Sequence, residues 1–282
     1  MDEYPSIPSR ALHVAQAERQ YRTLASAARI VVGAVAVALC LRTLVAEPFN
    51  IPSESMLPTL LGGDYLFVSK WPYGLSRYSL PFAPPLFDGR VGGGRPQRGD
   101  VVVFKTPRDN RTDFIKRVIG LPGDRVRMVG GQIELNGRLV PKVQTSDFIV
   151  PTPRGGDCSG GSGHPDYRRT LADGSVVCRY PRYLERLGKR DYAVLDLIAN
   201  DVRDNTPLVI VPADHYFVEG DNRDDSADSR LSIAEGGVGM VPQENLVGRA
   251  ERIFYSTTGT ARLTDPPSWL RSLRLSRIGD PL

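Results

Sequence analysis

Phe49-Asn50-Ile51-Pro52-Ser53-Glu54-Ser55-Met56-Leu57-Pro58-Thr59-Leu60 follows directly on the most apolar segment of the chain. Pro48, Pro52 and Pro58 each fix φ and lack a backbone N–H. The stretch is therefore predicted to be stiff and extended with two bends, neither a regular helix nor a central strand. Ser53 and Ser55, separated only by Glu54, stand among bulky apolar side chains. A rigid apolar setting suits an activated hydroxyl nucleophile. By composition alone the same residues read first as a Pro-rich linker carrying the serines common in turns.

On the N-terminal side, residues 1–29 form a polar tail, helical from about Leu12. Residues 30–46 are almost wholly apolar, with Arg42 near the far end where its head can snorkel to an interface. This is close to the shortest segment that spans a bilayer. A cleaved secretory signal, with Arg22 and Arg29 ahead of an apolar core at 30–41, would place Leu44 and Ala46 at its cleavage site, a poor fit to small residues. A buried core helix is the other competitor. The favoured reading is one uncleaved transmembrane anchor, its N-terminus cytoplasmic because arginines precede it and Glu47 and Glu54 follow it.

The body beyond the anchor is predicted to be mainly β. Gly (28) and Pro (23) are plentiful among 282 residues, and short runs rich in Val, Tyr and Phe recur between turn signals. Gly63-Asp64 precedes the strand pattern Tyr65-Leu66-Phe67-Val68, and Gly99-Asp100 precedes Val101-Val102-Val103-Phe104, apolar enough to be buried on both faces. Residues 71–97 read as a long surface loop. In Ile115-Lys116-Arg117-Val118-Ile119, strand alternation sends Lys116 and Arg117 to opposite faces. A lysine forced inward would lose solvation and drop in pKa, whereas one facing solvent would merely decorate an edge. Residues 125–211 change in character and read as an inserted β-rich domain, opening with a hairpin that turns at Gly130-Gly131 and with a short helix expected at 183–187. Core patterns resume over 212–265. The run Gly220-Asp221-Asn222-Arg223-Asp224-Asp225-Ser226-Ala227-Asp228-Ser229-Arg230 has the composition of a solvated loop; buried, it would have to be a network of paired charges. Residues 266–282 alternate arginines with apolar residues, as a lipid-surface segment or a frayed terminus.

Several chemistries are excluded. A net charge of only +4 does not call for nucleic acid. There is no P-loop, no HExxH and no Cys/His zinc spacing. Cys40 reads as a small hydrophobe in the anchor, while Cys158 and Cys178, flanking a polar Gly-rich loop, can close a disulfide outside the cytoplasm. The three histidines, His13, His164 and His215, are poorly placed for a Ser-His-Asp triad. Asn110-Arg111-Thr112 matches a glycosylation sequon, a weak signal. A serine with a buried neutral lysine as its base remains.

Five segments, in order after an anchor, resemble the bacterial type I signal peptidases: residues 51–60, 63–65, 98–104, 115–124 and 220–230. The resemblance implies a membrane-anchored serine endopeptidase that cleaves signal peptides from exported preproteins after a small-X-small motif. Ser55 would be the nucleophile and Lys116 the general base. Ser53, with the Ser55 N–H, would form the oxyanion hole, and Ser226 would orient Lys116. Asp228 and Arg230 would pair as support, with Arg117 also supportive. Phe49, Ile51, Met56, Leu60, Leu66, Val103 and Ile115 would line the substrate pockets. The implied fold is an antiparallel β-barrel-like catalytic core, split into residues 47–124 and 212–265 around the insertion. Signal peptides and membrane lipids are the implied partners of a monomer at the inner membrane, its catalytic domain on the outer face. No cofactor, metal or nucleic acid is implied. Glu54 and Glu219 stand where the family usually has Gly and an apolar residue, and Asp225 where Asn is common. The competing functions are a maturase for one pilus or conjugation substrate, a tethered β-domain that binds peptides without cutting them, and a self-cleaving Ser–Lys repressor. The anchor and the lack of a DNA-binding helix pair oppose the repressor.

Overall fold

The computed structural model describes residues 9–44, 46–80, 83–151, 158, 167–199, 201–261 and 264–282, with side chains of the N-terminal helix over 19–38. The chain divides into two compact units, Met1–Val45 and Ala46–Leu282. The first contains one α-helix, Ser9–Leu44. Among its described residues, Arg19–Ala38 is long and apolar enough to cross a membrane. The helix thus begins well before the expected anchor at 30–46, and Ala46 already belongs to a strand.

The second unit is mainly β, and over the chain strand (38%) outweighs helix (15%). Its centre is a seven-stranded antiparallel sheet. The order is Ala46–Asn50, Asp64–Ser69, Leu246–Ser256, Val101–Lys105, Asp113–Gly120, His215–Glu219 and Val241–Pro242. Both halves of the expected core supply strands, so the insertion leaves the sheet and re-enters it. Leu246–Ser256 bonds to Asp64–Ser69 and to Val101–Lys105 through register shifts. Gly248 permits the close approach: a Cβ there would press on the Ser69 carbonyl and lie 2.8 Å from Val68 Cγ1.

The uninterrupted apolar run at 101–104 is explained by cover on both faces. Val101 and Val103 pack with Ile51, Met56, Leu60, Leu66 and Ile253. Val102 and Phe104 pack on the other side with Tyr73, Val118, Tyr216 and Leu246. Alternate strand residues point to opposite faces, so a strand covered twice has no polar position to spare.

Four expectations change. Residues 71–97 are not simply a surface loop. Tyr73 and Tyr78 are buried, and the Arg90 guanidinium donates to the carbonyls of Tyr73 (3.1 Å), Gly74 (2.6 Å), Gln243 (3.2 Å) and Leu246. Residues 183–187 lie in a strand, Arg182–Leu187, because pairing with Arg190–Leu195 overrides local helix preference. The run at 220–230 is buried over nearly its whole length. The C-terminal segment is not frayed. Arg277 Nη2 donates to Asp64 Oδ2 (2.6 Å) and to the Thr59 carbonyl (2.8 Å). Arg274 Nε donates to Ser256 Oγ (2.9 Å), which in turn donates to Asp64 Oδ1 (2.6 Å).

The insertion forms small sheets of its own within this unit. Arg125–Val129 and Gln132–Leu135 make the expected hairpin, with Gly130 and Gly131 at φ 56° and 73°. Cys158 and Cys178 form a disulfide with Cα atoms 5.3 Å apart. It is buried with Tyr180, Leu195, Leu197 and Leu57, the last only two residues beyond Ser55. Most of the polar segment expected at 153–175 lies outside the described residues.

Two stability outcomes follow from these contacts. Asp64→Ala strands two arginines and a hydroxyl, so denaturant unfolding should show a loss of about 2 kcal/mol or more, with limited proteolysis opening first after residue 264. Reducing the disulfide, whose cysteines lie 20 residues apart, should cost about 3 kcal/mol; unchanged unfolding in dithiothreitol would remove it as a brace.

Candidate active site

The nucleophile segment begins as an edge strand, Ala46–Asn50, paired with Asp64–Ser69. Beyond Pro52 it does not stay extended as expected. Leu57 N donates to Glu54 O (3.0 Å) and Leu60 N to Met56 O (2.9 Å), so residues 53–60 coil back on themselves. Met56 and Leu60, fully buried, anchor the coil in the core. Ser55 is carried to Lys116, midway along the Asp113–Gly120 strand. Glu54, half-buried, is not among the residues of positive φ, so this backbone does not require glycine.

Lys116 Nζ lies 2.7 Å from Ser55 Oγ and donates to its neighbour's carbonyl, Ile115 O, at 3.0 Å. The side chain is buried. Burial lowers its pKa from the usual lysine value to about 8; Asp228, Asp221 and Asp225 oppose the drop and Arg230 reinforces it. Ser53 Oγ lies 3.4 Å from Ser55 Oγ. The pair can therefore pass a proton from hydroxyl to amine without a histidine. His215 Nδ1 sits 2.8 Å from the Ala213 carbonyl of its own loop, His13 belongs to the N-terminal unit, and His164 lies outside the described residues.

The run at 220–230 brackets this pair. Asn222 donates twice to the nucleophile segment, from its backbone N to Ser55 O (3.1 Å) and from Nδ2 to Glu54 O (3.2 Å). Gly220 is required by the approach: a Cβ there would lie 2.5 Å from both Ser55 O and Ser226 Cβ. Arg230 grips Asp228 in a two-pronged pair at 2.9 and 2.8 Å, both side chains fully buried. Arg117 leaves the opposite face of the strand from Lys116 and pairs with Asp221 at 2.8 and 2.6 Å. Ser226 Oγ is buried and its interaction is with Asp228, so the expected contact with Lys116 is not formed in this geometry.

Above Ser55 lies a groove of about 350 Å³, lined by residues 49–53, Val103, residues 112–116 and Ala227. Of the expected pocket residues, Phe49, Ile51, Val103 and Ile115 line it. Met56, Leu60 and Leu66 do not; all three are wholly buried behind it. Phe114 and Ala227 line it without having been expected. So too were Asp221 and Asn222 passed over as functional partners, although they lie inside a segment already singled out. Glu185 and Tyr192, which reach the site from the insertion through Arg223 and Arg117, carry no signal in sequence, because only the tertiary fold brings them near.

The model of the family described as signal peptidase, peptidase S26, matches residues 24–255. The chain is 37% identical over 255 residues to a signal peptidase I of Rickettsia typhi, across 86% of this chain and 88% of that one. It is 36% identical to a signal peptidase I of Rickettsia prowazekii over the same shares. Among solved structures, a signal peptidase I of Enterococcus faecalis is 24% identical, covering 55% of this chain and 97% of its own, with a TM-score of 0.28. Matched by the family's model over most of its length, and by relatives over most of theirs, the chain belongs to the signal peptidase family, peptidase S26, and is a serine endopeptidase.

Proposed function

We propose that this protein is a membrane-anchored peptidase that removes signal peptides from exported preproteins, with Ser55 as nucleophile and neutral Lys116 as general base. The observation that carries the reading is the 2.7 Å contact between Ser55 Oγ and a buried amine. In the first step Lys116 Nζ takes the hydroxyl proton as Ser55 Oγ attacks the scissile carbonyl. The Ser53 hydroxyl and the Ser55 N–H hold the oxyanion, where one well-placed donor is worth about 3 kcal/mol. The lysine ammonium then protonates the leaving amine, and neutral again, activates the water that releases the acyl group. Asn222 and the Arg117–Asp221 and Asp228–Arg230 pairs act as positioning groups. Ser226 would join them only by turning its hydroxyl to the amine on substrate binding.

Substrate selection follows from the groove. The strand Ala46–Asn50 is paired on one side only, and ladder pairing of Asp113–Gly120 with His215–Glu219 begins only at Arg117. Two backbone edges therefore flank the groove, ready for an extended peptide to add as a strand. Apolar walls at Phe49, Ile51, Val103 and Ile115 leave room for small side chains, which supports cleavage after a small-X-small motif. The helix at Arg19–Ala38 supports an anchor in a bacterial inner membrane. The disulfide supports an oxidising compartment for the body, consistent with a cytoplasmic N-terminus.

Incubating a preprotein with purified enzyme in detergent tests this directly. Ser55→Ala and Lys116→Ala should each lower cleavage by about four orders of magnitude or more, with unfolding midpoints kept; normal turnover by either would overturn the assignment. The pH profile follows from the amine. Below about 8 it is an ammonium and cannot accept the serine proton, so kcat/KM should rise with pH and level off above that value. The negative charge of Asp225 stabilises the ammonium, so Asp225→Asn should move this limb to lower pH; a shift the other way contradicts the role given to Lys116.

A further inference from the structure

Behind the run at 220–230, away from Lys116, three carboxylates converge. Asp196, Asp204 and Asp224 each bring an oxygen within 4.8 Å of the others. They come from three places: the end of the Arg190–Leu195 strand, the loop before Val209–Ile210, and the 220–230 run. Asp204 and Asp224 are buried, at 4% and 2% exposure.

Their charges are not balanced by the protein. Lys142 Nζ pairs with Asp196 and donates to the Gly131 carbonyl at 2.7 Å. Among the described residues no lysine or arginine pairs with Asp204 or Asp224. Asp224 Oδ2 accepts the backbone N–H groups of Leu197 (2.5 Å) and Ile198 (3.0 Å), while its other oxygen, Oδ1, is buried with no hydrogen-bond partner. Such an oxygen is costly to leave unmatched. The turn at Gly131 completes the cradle: a Cβ there would lie 3.0 Å from Asp196 Oδ2 and 3.3 Å from Asp204 Oδ1.

The geometry points to a calcium-binding site at Asp196, Asp204 and Asp224. Three carboxylates and one ammonium leave two negative charges, the match for one divalent ion. All available donors are oxygens, which disfavours zinc. Irregular carboxylate and carbonyl oxygens suit calcium, whereas magnesium demands a regular octahedron and keeps its waters. The ion would tie the insertion to the run whose Asn222 holds the Ser55 carbonyl. This role is additional to the proteolytic reading and independent of it.

The test uses the full chain in detergent with terbium as probe, since Tyr183 lies under Lys142 and Tyr167 beside Leu197. Tyrosine-sensitised terbium luminescence should saturate and be displaced by calcium at concentrations on the order of a millimolar or below, and calcium but not magnesium should raise the melting temperature. Asp204→Asn and the more exposed Asp196→Asn should each weaken binding by at least about tenfold, and Asp204→Asn should abolish the calcium shift. In EDTA Asp204→Asn should melt at or above wild type, because removing an unpaired charge relieves repulsion, whereas Asp196→Asn also takes away the Lys142 partner and is read by terbium alone. Wild-type chain with no saturable terbium signal, or variants that bind terbium as wild type does, would overturn the site. So would an Asp204→Asn variant that melts below wild type in EDTA when wild type ignores calcium, since that acid would then be structural alone.

Discussion

A lysine amine, Lys116, is held out of water within 2.7 Å of the Ser55 hydroxyl, and much of the body is arranged around that contact. Burial, with a smaller push from Arg230, lowers the pKa of Lys116, and the acids around it act in the opposite sense. Asp228 and Asp221 both favour the charged form of the amine. Each carries an arginine, Arg230 and Arg117 respectively, at hydrogen-bond distance. Buried pairs of this kind contribute little net stability. Here they fix the geometry around the Lys116 amine.

The insertion is part of the same device. Leu195 N donates to Asp221 O and Arg223 N to Leu195 O, each at 2.9 Å, so the end of an insertion strand is laced to the run that brackets Ser55. Glu185 accepts from both Arg223 and Tyr192, and the Tyr192 ring lies under the Arg117 guanidinium at 4.2 Å. From the other direction, Leu57 packs into the cluster around the disulfide. The nucleophile segment is thus gripped by sheet, insertion and C-terminal segment together, since Arg277 also holds the Thr59 carbonyl. Pre-organisation of this sort places reacting atoms without reorganisation at the moment of reaction.

Glu219 is an acid where the family usually has an apolar residue. Its carboxylate lies 3.2 Å from Arg223 Nη1, inside the cluster formed by Glu185, Asp228 and Arg230. Burial raises its pKa to about 7, against the pull of Arg223 and Arg230. Arg223 and Arg230 offset part, not all, of the cost of burying this acid.

The sequence by itself determined the class of protein, the strand pattern of the core and the identity of the chemical groups. Short continuous apolar runs behind Gly-Asp turns marked Asp64–Ser69 and Val101–Lys105, and the resemblance of the segments around Ser55, Lys116 and 220–230 to the family pointed to the groups that the structure brings together. Tertiary structure decided what those residues face. The polar run reads as solvated because local composition cannot show that each charge meets a partner distant in sequence, as Asp221 meets Arg117 and Arg223 meets Glu185. Met56, Leu60 and Leu66, assigned to the pocket by the resemblance, lie buried behind the groove, since an apolar side chain near a site has the same local pattern whether it lines the groove or supports the floor behind it. Strand pairing turned residues 183–187 from expected helix to strand, and two arginines meeting Asp64 turned an apparently loose tail into a brace. Pairings between residues far apart in the chain leave no periodicity in it, and here those pairings carry the positioning of the site.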